Sequence, residues 1–386
     1  MKSAIFSVIM LLLLSGCGQE KQLEQTETAP PSTEQVIENE RKEPIEGLRI
    51  ELQHEAYDPS LTEYTYIIWN DSEQTVRFGE AYGLEKENGS DWESLEMKKD
   101  ADVIGIGYEL EPGESQALTC SFAQFSEVPE VGCYRLVKEI EGRLLYAEFE
   151  LGNSEYTAET PYGFDDMEML PENYDASAGA ADGAVTFTAR GVKNGESILR
   201  FLEEVAQGIP TQLRTVQEYS EGTPMVIDAI YEQGRFRWRV RSGGAVYDQY
   251  LSYVVTDGKD VFLSNGADWK TAEKYLGQEL VHLIPEGTAG MEAAAALAAE
   301  IMEETLNANS ARYKTWSADG VRSAALTETA GELLIGEPGR GESFRLDDDQ
   351  GRPEEIKALE WQEDGVLMVY CADGARIFDP VSWKLS

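Results

Sequence analysis

The chain has 386 residues, room for two or three domains, and carries 72 Asp plus Glu against 32 Lys plus Arg, a formal net charge of −40. That balance excludes the basic footprint of a nucleic-acid binder and a protein body resting on anionic lipid. It attracts cationic partners such as basic peptides, basic proteins or divalent ions, or serves only to keep the protein soluble.

The first predicted element is an export signal. Met1-Lys2 precedes an apolar run from Ala4 to Leu14, and Leu14-Ser15-Gly16-Cys17 has the form of a bacterial lipobox. The run is too short for a membrane span, which takes about 20 residues, and no Ala-x-Ala site precedes Cys17. Residues 1–17 are therefore expected to be a signal peptide, with Cys17 as the lipid attachment site and new N-terminus. Each acyl CH₂ buried in lipid contributes ~0.8 kcal/mol, so more than one chain makes a stable anchor. This places the mature protein at the cell membrane, on its extracytoplasmic face. Residues 18–47 are rich in Gln, Glu, Thr, Pro and Ser and poor in large apolar residues, which predicts a disordered tether. A chain of that length spans on the order of 30 Å root-mean-square.

From 48 to 152 the pattern is all strand. Tyr64–Trp69 is aromatic and β-branched, and Val76-Arg77-Phe78 and Tyr82–Lys86 follow. Asn88-Gly89, Pro112-Gly113 and Glu141-Gly142 punctuate the remaining strands, among them Ile104–Leu110, Gln116–Phe122, Tyr134–Lys138 and Leu145–Leu151. About seven short strands in about a hundred residues predict an immunoglobulin-like β-sandwich. Cys120 and Cys133 fall in this domain. An exported location permits a disulfide between them worth ~3 kcal/mol in the chain-entropy model; the alternative is two buried free thiols.

The pieces Tyr82–Lys86, Trp92, Leu110-Glu111-Pro112-Gly113, Pro129–Lys138 and Tyr146–Phe149 resemble the immunoglobulin-like domain of secreted and membrane proteins of Gram-positive bacteria, over about residues 48–151. The resemblance implies an extracellular accessory or spacer module, sometimes attached to β-lactam-sensing membrane proteases, and no catalytic residues. Its Gly-x-Tyr-Arg piece makes Tyr134 a structural tyrosine corner, with the hydroxyl bonded back to nearby backbone. It lends no support to a Cys120–Cys133 pair.

Residues 153–184, which follow Gly152 and contain Asn153-Ser154, Pro161, Pro171 and Ala176–Ala180, are expected to be a linker. An α+β region follows from 185 to 386, with helices packed on antiparallel sheet. A helix starting at Asn194 or Glu196 presents Ile198, Phe201, Leu202 and Val205 on one face and stops at Gly208. Strands at 213–219, 225–231 and 236–241 and a hairpin over 250–263 succeed it. A second helix, 291–306, carries an apolar stripe including Ala294, Ala298 and Ile301, and strands from 332 to 378 complete the chain. The order suggests two helix-plus-sheet halves, 185–285 and 286–386. Ile198–Leu202, Val205, Gly208, Leu213-Arg214, Glu221–Met225 and Ile230-Tyr231 resemble a small family of unknown function in Gram-positive lipoproteins, over about 193–257. This chain departs from that family's pattern at Thr223, where an Asp is usual, and lacks a cysteine often found in the last strand. The resemblance implies no activity.

The chemistry-bearing motifs are sparse. The chain has two histidines, His54 and His282, in separate predicted domains, which removes most metal and nucleophile arrangements. Glu279-x-x-His282 is half of a carboxylate-bridged metal motif whose second half does not occur, so His282 is expected to be a satisfied core residue and no metal is assigned. There is no Ser-x-x-Lys, Gly-x-Ser-x-Gly, His-Glu-x-x-His or P-loop. Asp347-Asp348-Asp349-Gln350-Gly351 lacks the spacing of a calcium loop and is expected to be an acidic turn. Cys371, in an apolar strand, is assigned to the core. Trp238, Tyr247, Tyr250, Tyr253, Trp269 and Tyr275 either line a peptide or glycan groove or pack in the core. No cofactor and no catalytic residue is assigned. The expected role is a lipid-anchored binding or accessory protein of the envelope, with a protein, peptide or wall fragment as partner. The alternatives are a carboxylate-dependent cell-wall hydrolase, or a sensor or inhibitor module that binds another exported protein.

Overall fold

The computed structural model describes residues 45–99, 106–218, 222–274, 280–309, 311–372 and 374–386. The signal, Cys17, the tether up to residue 44, Ile104, Glu221, Tyr275 and Glu279 lie outside the described residues.

Among the described residues ten strands build the first unit: β1 (Leu48–Leu52), β2 (Ala56–Tyr57), β3 (Glu63–Asn70), β4 (Val76–Gly79), β5 (Gly83–Asn88), β6 (Asp91–Ser94), β7 (Gly107–Leu110), β8 (Ser115–Ser121), β9 (Gly132–Ile140) and β10 (Arg143–Leu151). A sheet in the order β1-β3-β8 faces one in the order β2-β10-β9-β5-β6, and β4 pairs with β7. Alternation decides what is inside: Tyr134, Leu136, Lys138 and Ile140 of β9 turn inward, and the residues between them turn out. Tyr57, Tyr64, Phe122, Tyr134 and Phe149 fill the space between the sheets with ring-to-ring contacts. Lys138 is the exception in this core. Its Nζ donates to the carbonyls of Gly79 (2.6 Å) and Ala81 (2.9 Å), and burial pushes its pKa down to about 8. Ile45 packs in the same core, so the expected tether ends before residue 47. Gly47 then turns at φ +86°, where a Cβ would lie 2.6 Å from the Asp71 carbonyl oxygen.

Cys120 and Cys133 do not pair; both are free. Cys120 faces the core from β8, whereas Cys133 is an outward residue of β9 in the opposite sheet. Period-two alternation sends their sulfurs to opposite sides of the β9 sheet.

The segment expected as a linker, 153–184, is packed. It forms a strap with a short 3₁₀ turn (Met167–Met169) and helix α1 (Ala176–Ala181), which Asp175 caps through the N–H groups of Ser177 and Ala178. Met167, Leu170 and Tyr174 are buried against Val216 and Val226 of the next sheet.

That sheet contains β11 (Val185–Thr188), β12 (Gly191–Lys193), β13 (Thr211–Gln217), β14 (Met225–Glu232), β15 (Arg235–Ser242) and β16 (Ala245–Leu251), in the order β12-β11-β13-β14-β15-β16. Its strands are antiparallel except for β11 beside β13. The strap covers one face. The other face receives α2 (Glu196–Ala206), through Ile198, Phe201, Leu202 and Val205. Gly208 ends the helix at φ +71°, and the N–H groups of Gly208 and Ile209 return to the carbonyls of Val205 and Glu204. A three-stranded sheet, β17 (Tyr253–Thr256), β18 (Val261–Ser264) and β19 (Leu280–His282), completes this core, with α3 (Trp269–Lys274) between its last two strands in the chain.

The expected second α+β half is not formed. Helix α4 (Glu292–Ala308) sends Ala294, Ala295, Ala298 and Ile301 into the core of α2 rather than onto the strands that follow it. Its small residues allow that close approach. The described residues of 311–386 instead form two four-stranded meanders. The first contains β20 (Ala311–Trp316), β21 (Ser323–Thr327), β22 (Glu332–Glu337) and β23 (Arg340–Arg345). The second contains β24 (Ile356–Trp361), β25 (Leu367–Cys371), β26 (Ala375–Asp379) and β27 (Lys384–Leu385). They cover each other around Leu333, Ile335, Leu367, Val369 and Phe378, with Cys371 buried among them.

Candidate functional site

A cavity of about 410 Å³ lies where the sandwich meets the helix-covered sheet. Its floor is the β14–β15 hairpin, with the rings of Tyr231 and Phe236 5.0 Å apart. The end of α2 contributes Val205, and β17 contributes Tyr253 and Val254. Gln116 and Ala117 of β8 close it from the sandwich side. Gln53 ties the two units together nearby, donating through Nε2 to the Pro210 carbonyl at 2.9 Å.

The polar wall is the last part of α4. Spacing of three and four along the helix brings Ile301, Glu304 and Thr305 to the cavity. Glu304 is its single lining carboxylate. Its Oε2 is shielded from solvent and has no hydrogen-bond partner. Burial first, then the neighbouring carboxylates Glu300 and Glu303, hold its pKa above the ordinary glutamate value. Burial also pushes the Tyr231 phenol up to about 12, so it stays a neutral donor. A desolvated carboxylate oxygen is costly unless something bonds to it. The arrangement suits a guest with an apolar body and a donor head. It does not suit paired-acid hydrolysis, which places two carboxyl groups on either side of the scissile bond.

The residues singled out by sequence are scattered. Tyr134 is buried in the sandwich, and its hydroxyl accepts a hydrogen bond from the Glu130 N–H at 3.3 Å. His54 stacks on Tyr156 at 3.6 Å, and burial with nearby Arg200 pushes its pKa down to about 4, so it is neutral at pH 7. His282 is part-buried against Phe262, and its Nδ1 is shielded without a hydrogen-bond partner, which corrects the expectation of a satisfied core histidine. Asp348 closes its turn by accepting from the N–H groups of Gln350 and Arg352. The aromatic residues do not share one groove. Trp238 and Tyr253 are buried in two different clusters, Tyr247 is exposed, and Tyr250 sits on the far face of the sheet beside Arg235. Sequence reading missed Glu304 as a site residue because α4 carries several acids and only the tertiary fold buries this one. It also missed the alternating arginines at 235, 237, 239 and 241, a period-two signal visible in the sequence.

Residues 44–150 match the family described as the bacterial Ig-like domain. No curated protein matches the chain. Among solved structures, the chain is similar to the CsuC–CsuE chaperone–tip adhesion subunit pre-assembly complex of Acinetobacter baumannii, at 11% identity, with 61% of this chain and 97% of that one covered and a TM-score of 0.19. It is also similar to a putative 6-phosphogluconolactonase of Bacteroides uniformis, at 12% identity over 81% and 80% with a TM-score of 0.17. The periplasmic gluconolactonase PpgL of Pseudomonas aeruginosa gives 14% identity over 79% and 81%, again at 0.17. Similarity this distant carries no argument about activity.

Proposed function

We propose that this protein is a lipid-anchored, extracytoplasmic binding protein of the cell envelope, and that the cavity beside Glu304 takes a small ligand with an apolar body and a cationic or hydrogen-bond-donating head. The observation that carries the reading is the unpartnered Glu304 Oε2 in a cavity walled by Tyr231, Phe236 and Val254. The volume falls in the range of small-molecule sites, roughly 300–1,000 Å³. The acidic chain favours a cation over an anion at this position. The lipobox ending at Cys17 and the resemblance of 193–257 to Gram-positive lipoproteins support the anchored location. The Ig-like domain acts as spacer and as one wall of the site.

Calorimetric titration of the mature protein with hexylammonium tests the binding reading. Saturable binding is expected, weakened at least about tenfold in Glu304→Gln, since a hydrogen bond to a charged group contributes about 1.5–3 kcal/mol. No saturable binding, or equal affinity in the variant, overturns it.

A further inference from the structure

The face of the six-stranded sheet turned away from α2 carries four arginines in alternation on β15. Three are matched by strap or sheet. Arg241 donates to the carbonyls of Leu170 and Pro171, Arg239 pairs with Asp166 and Asp248, and Arg237 pairs with Asp248. Arg235 is different. Its cross-strand neighbour on β14 is Glu232, but that carboxylate accepts a hydrogen bond from the Tyr162 hydroxyl at 2.6 Å. Arg235 instead donates to the Gly320 carbonyl, with its guanidinium 5.2 Å from the Tyr250 ring and 5.0 Å from the Trp316 ring.

A second cation shares the same indole: Lys314 Nζ lies 4.3 Å from the Trp316 ring. Among the described residues no carboxylate oxygen lies within 4.0 Å of either cation. That is anomalous in a chain with 72 acids and 32 bases. Burial and then the neighbouring Arg235 hold the Lys314 ammonium below the ordinary lysine value, so Lys314 is both desolvated and repelled by its neighbour. Aromatic faces attract each cation by about 0.5–2 kcal/mol but neutralise neither.

The surroundings fix this arrangement. Trp316 Nε1 donates to Ser252 Oγ at 2.8 Å, and Ser252 Oγ donates to the Lys314 carbonyl at 2.7 Å. Gly320, at φ +67°, presses its turn against Tyr250, where a Cβ would sit 2.6 Å from the ring. All four side chains remain partly accessible to solvent.

We propose that Arg235 and Lys314, flanked by Tyr250 and Trp316 at the seam between the six-stranded sheet and the first C-terminal meander, form a binding site for a small oxyanion, a carboxylate or a phosphate group. The guanidinium supplies directional N–H donors, the ammonium supplies a point charge, and the rings give an attached planar body a surface to stack on. This site rests on residues other than Glu304 and stands independently of the cavity reading.

The test titrates the mature protein in Tris chloride with inorganic phosphate in one arm and benzoate in the other. Saturable binding in either arm, reduced at least about tenfold in Lys314→Gln, supports the site. Phosphate alone binding assigns it to phosphate groups; benzoate alone assigns it to carboxylates on a planar body. A second measurement needs no variant. Mass spectrometry follows acetylation of lysines in the wild-type protein, and the bound anion is expected to slow modification at Lys314 while leaving exposed Lys357 and Lys384 unchanged. Absence of saturable binding in both arms, binding unaltered in Lys314→Gln, or an unchanged Lys314 acetylation rate overturns the proposal.

Discussion

Arg214 and Asp228 face each other across β13 and β14, joined by two hydrogen bonds of 2.7 Å, with both side chains 1% exposed. Arg214 also donates to the Asp165 carbonyl, so this buried pair fixes the strap to the sheet. Breaking such a pair from one side strands a charge; replacing both partners with apolar residues does not. Asp228→Asn is expected to lower stability by about 3–5 kcal/mol, and Arg214→Met with Asp228→Leu to restore it to within about 1 kcal/mol of wild type or above. Urea unfolding midpoints check both, and a single variant as stable as wild type would remove the pair from the account.

The two sandwich cysteines differ in access. Cys133 is expected to alkylate in the native protein, slowly at neutral pH because Glu87 and the other carboxylates around it raise its pKa. Cys120 is expected to react only after unfolding, since it is buried and that burial, with a smaller push from Glu63, raises its thiol to about 12. Intact-mass analysis reads each addition. Two unreactive sulfurs that become reactive only after reduction would mean a bridge.

Glu304 makes a pH-dependent contribution of definite sign. Its folded pKa is raised, so the native state holds the proton more tightly than the unfolded chain does. Stability from this group is therefore full below the unfolded glutamate pKa and is lost as pH rises through the raised folded value. Glu304→Gln is expected to melt higher than wild type at pH 7, with the gap closing towards pH 4. A variant that melts lower at pH 7 would indicate that the carboxylate has a bonded partner.

The proposed anchoring by Cys17 has its own readout. Cys17→Ala is expected to leave the membrane fraction, because no acyl chain then contributes its ~0.8 kcal/mol per buried CH₂. Among the described residues no helix is long and apolar enough to cross a membrane in its place. Full retention of the variant on membranes would contradict the anchor.

The sandwich was legible because its core residues alternate, as in Tyr134, Leu136 and Ile140, and because Asn-Gly and Pro-Gly mark its turns. Helix α2 was legible from the spacing of Ile198, Phe201, Leu202 and Val205 and from Gly208. The strap was not. Phe164, Met167, Leu170 and Tyr174 recur at intervals of three, three and four, the spacing of a helix, yet the segment forms only a short turn at Met167–Met169 before Pro171 and packs on a surface supplied by other strands. The apolar stripe of α4 was visible, but a stripe shows which face is covered and not what covers it. That is why the expected repeat dissolved once Ala298 and Ile301 packed beside α2. The cavity joins β8, α2, the β14–β15 hairpin, β17 and α4, which are remote in sequence, so no local pattern announces it.

The most direct measurement of the central claim is a crystal structure of the mature protein with hexylammonium. The account predicts the amine nitrogen within about 3 Å of Glu304 Oε2 and the alkyl chain against Tyr231, Phe236 and Val254. An empty cavity under saturating hexylammonium, or a ligand bound only elsewhere, would contradict it.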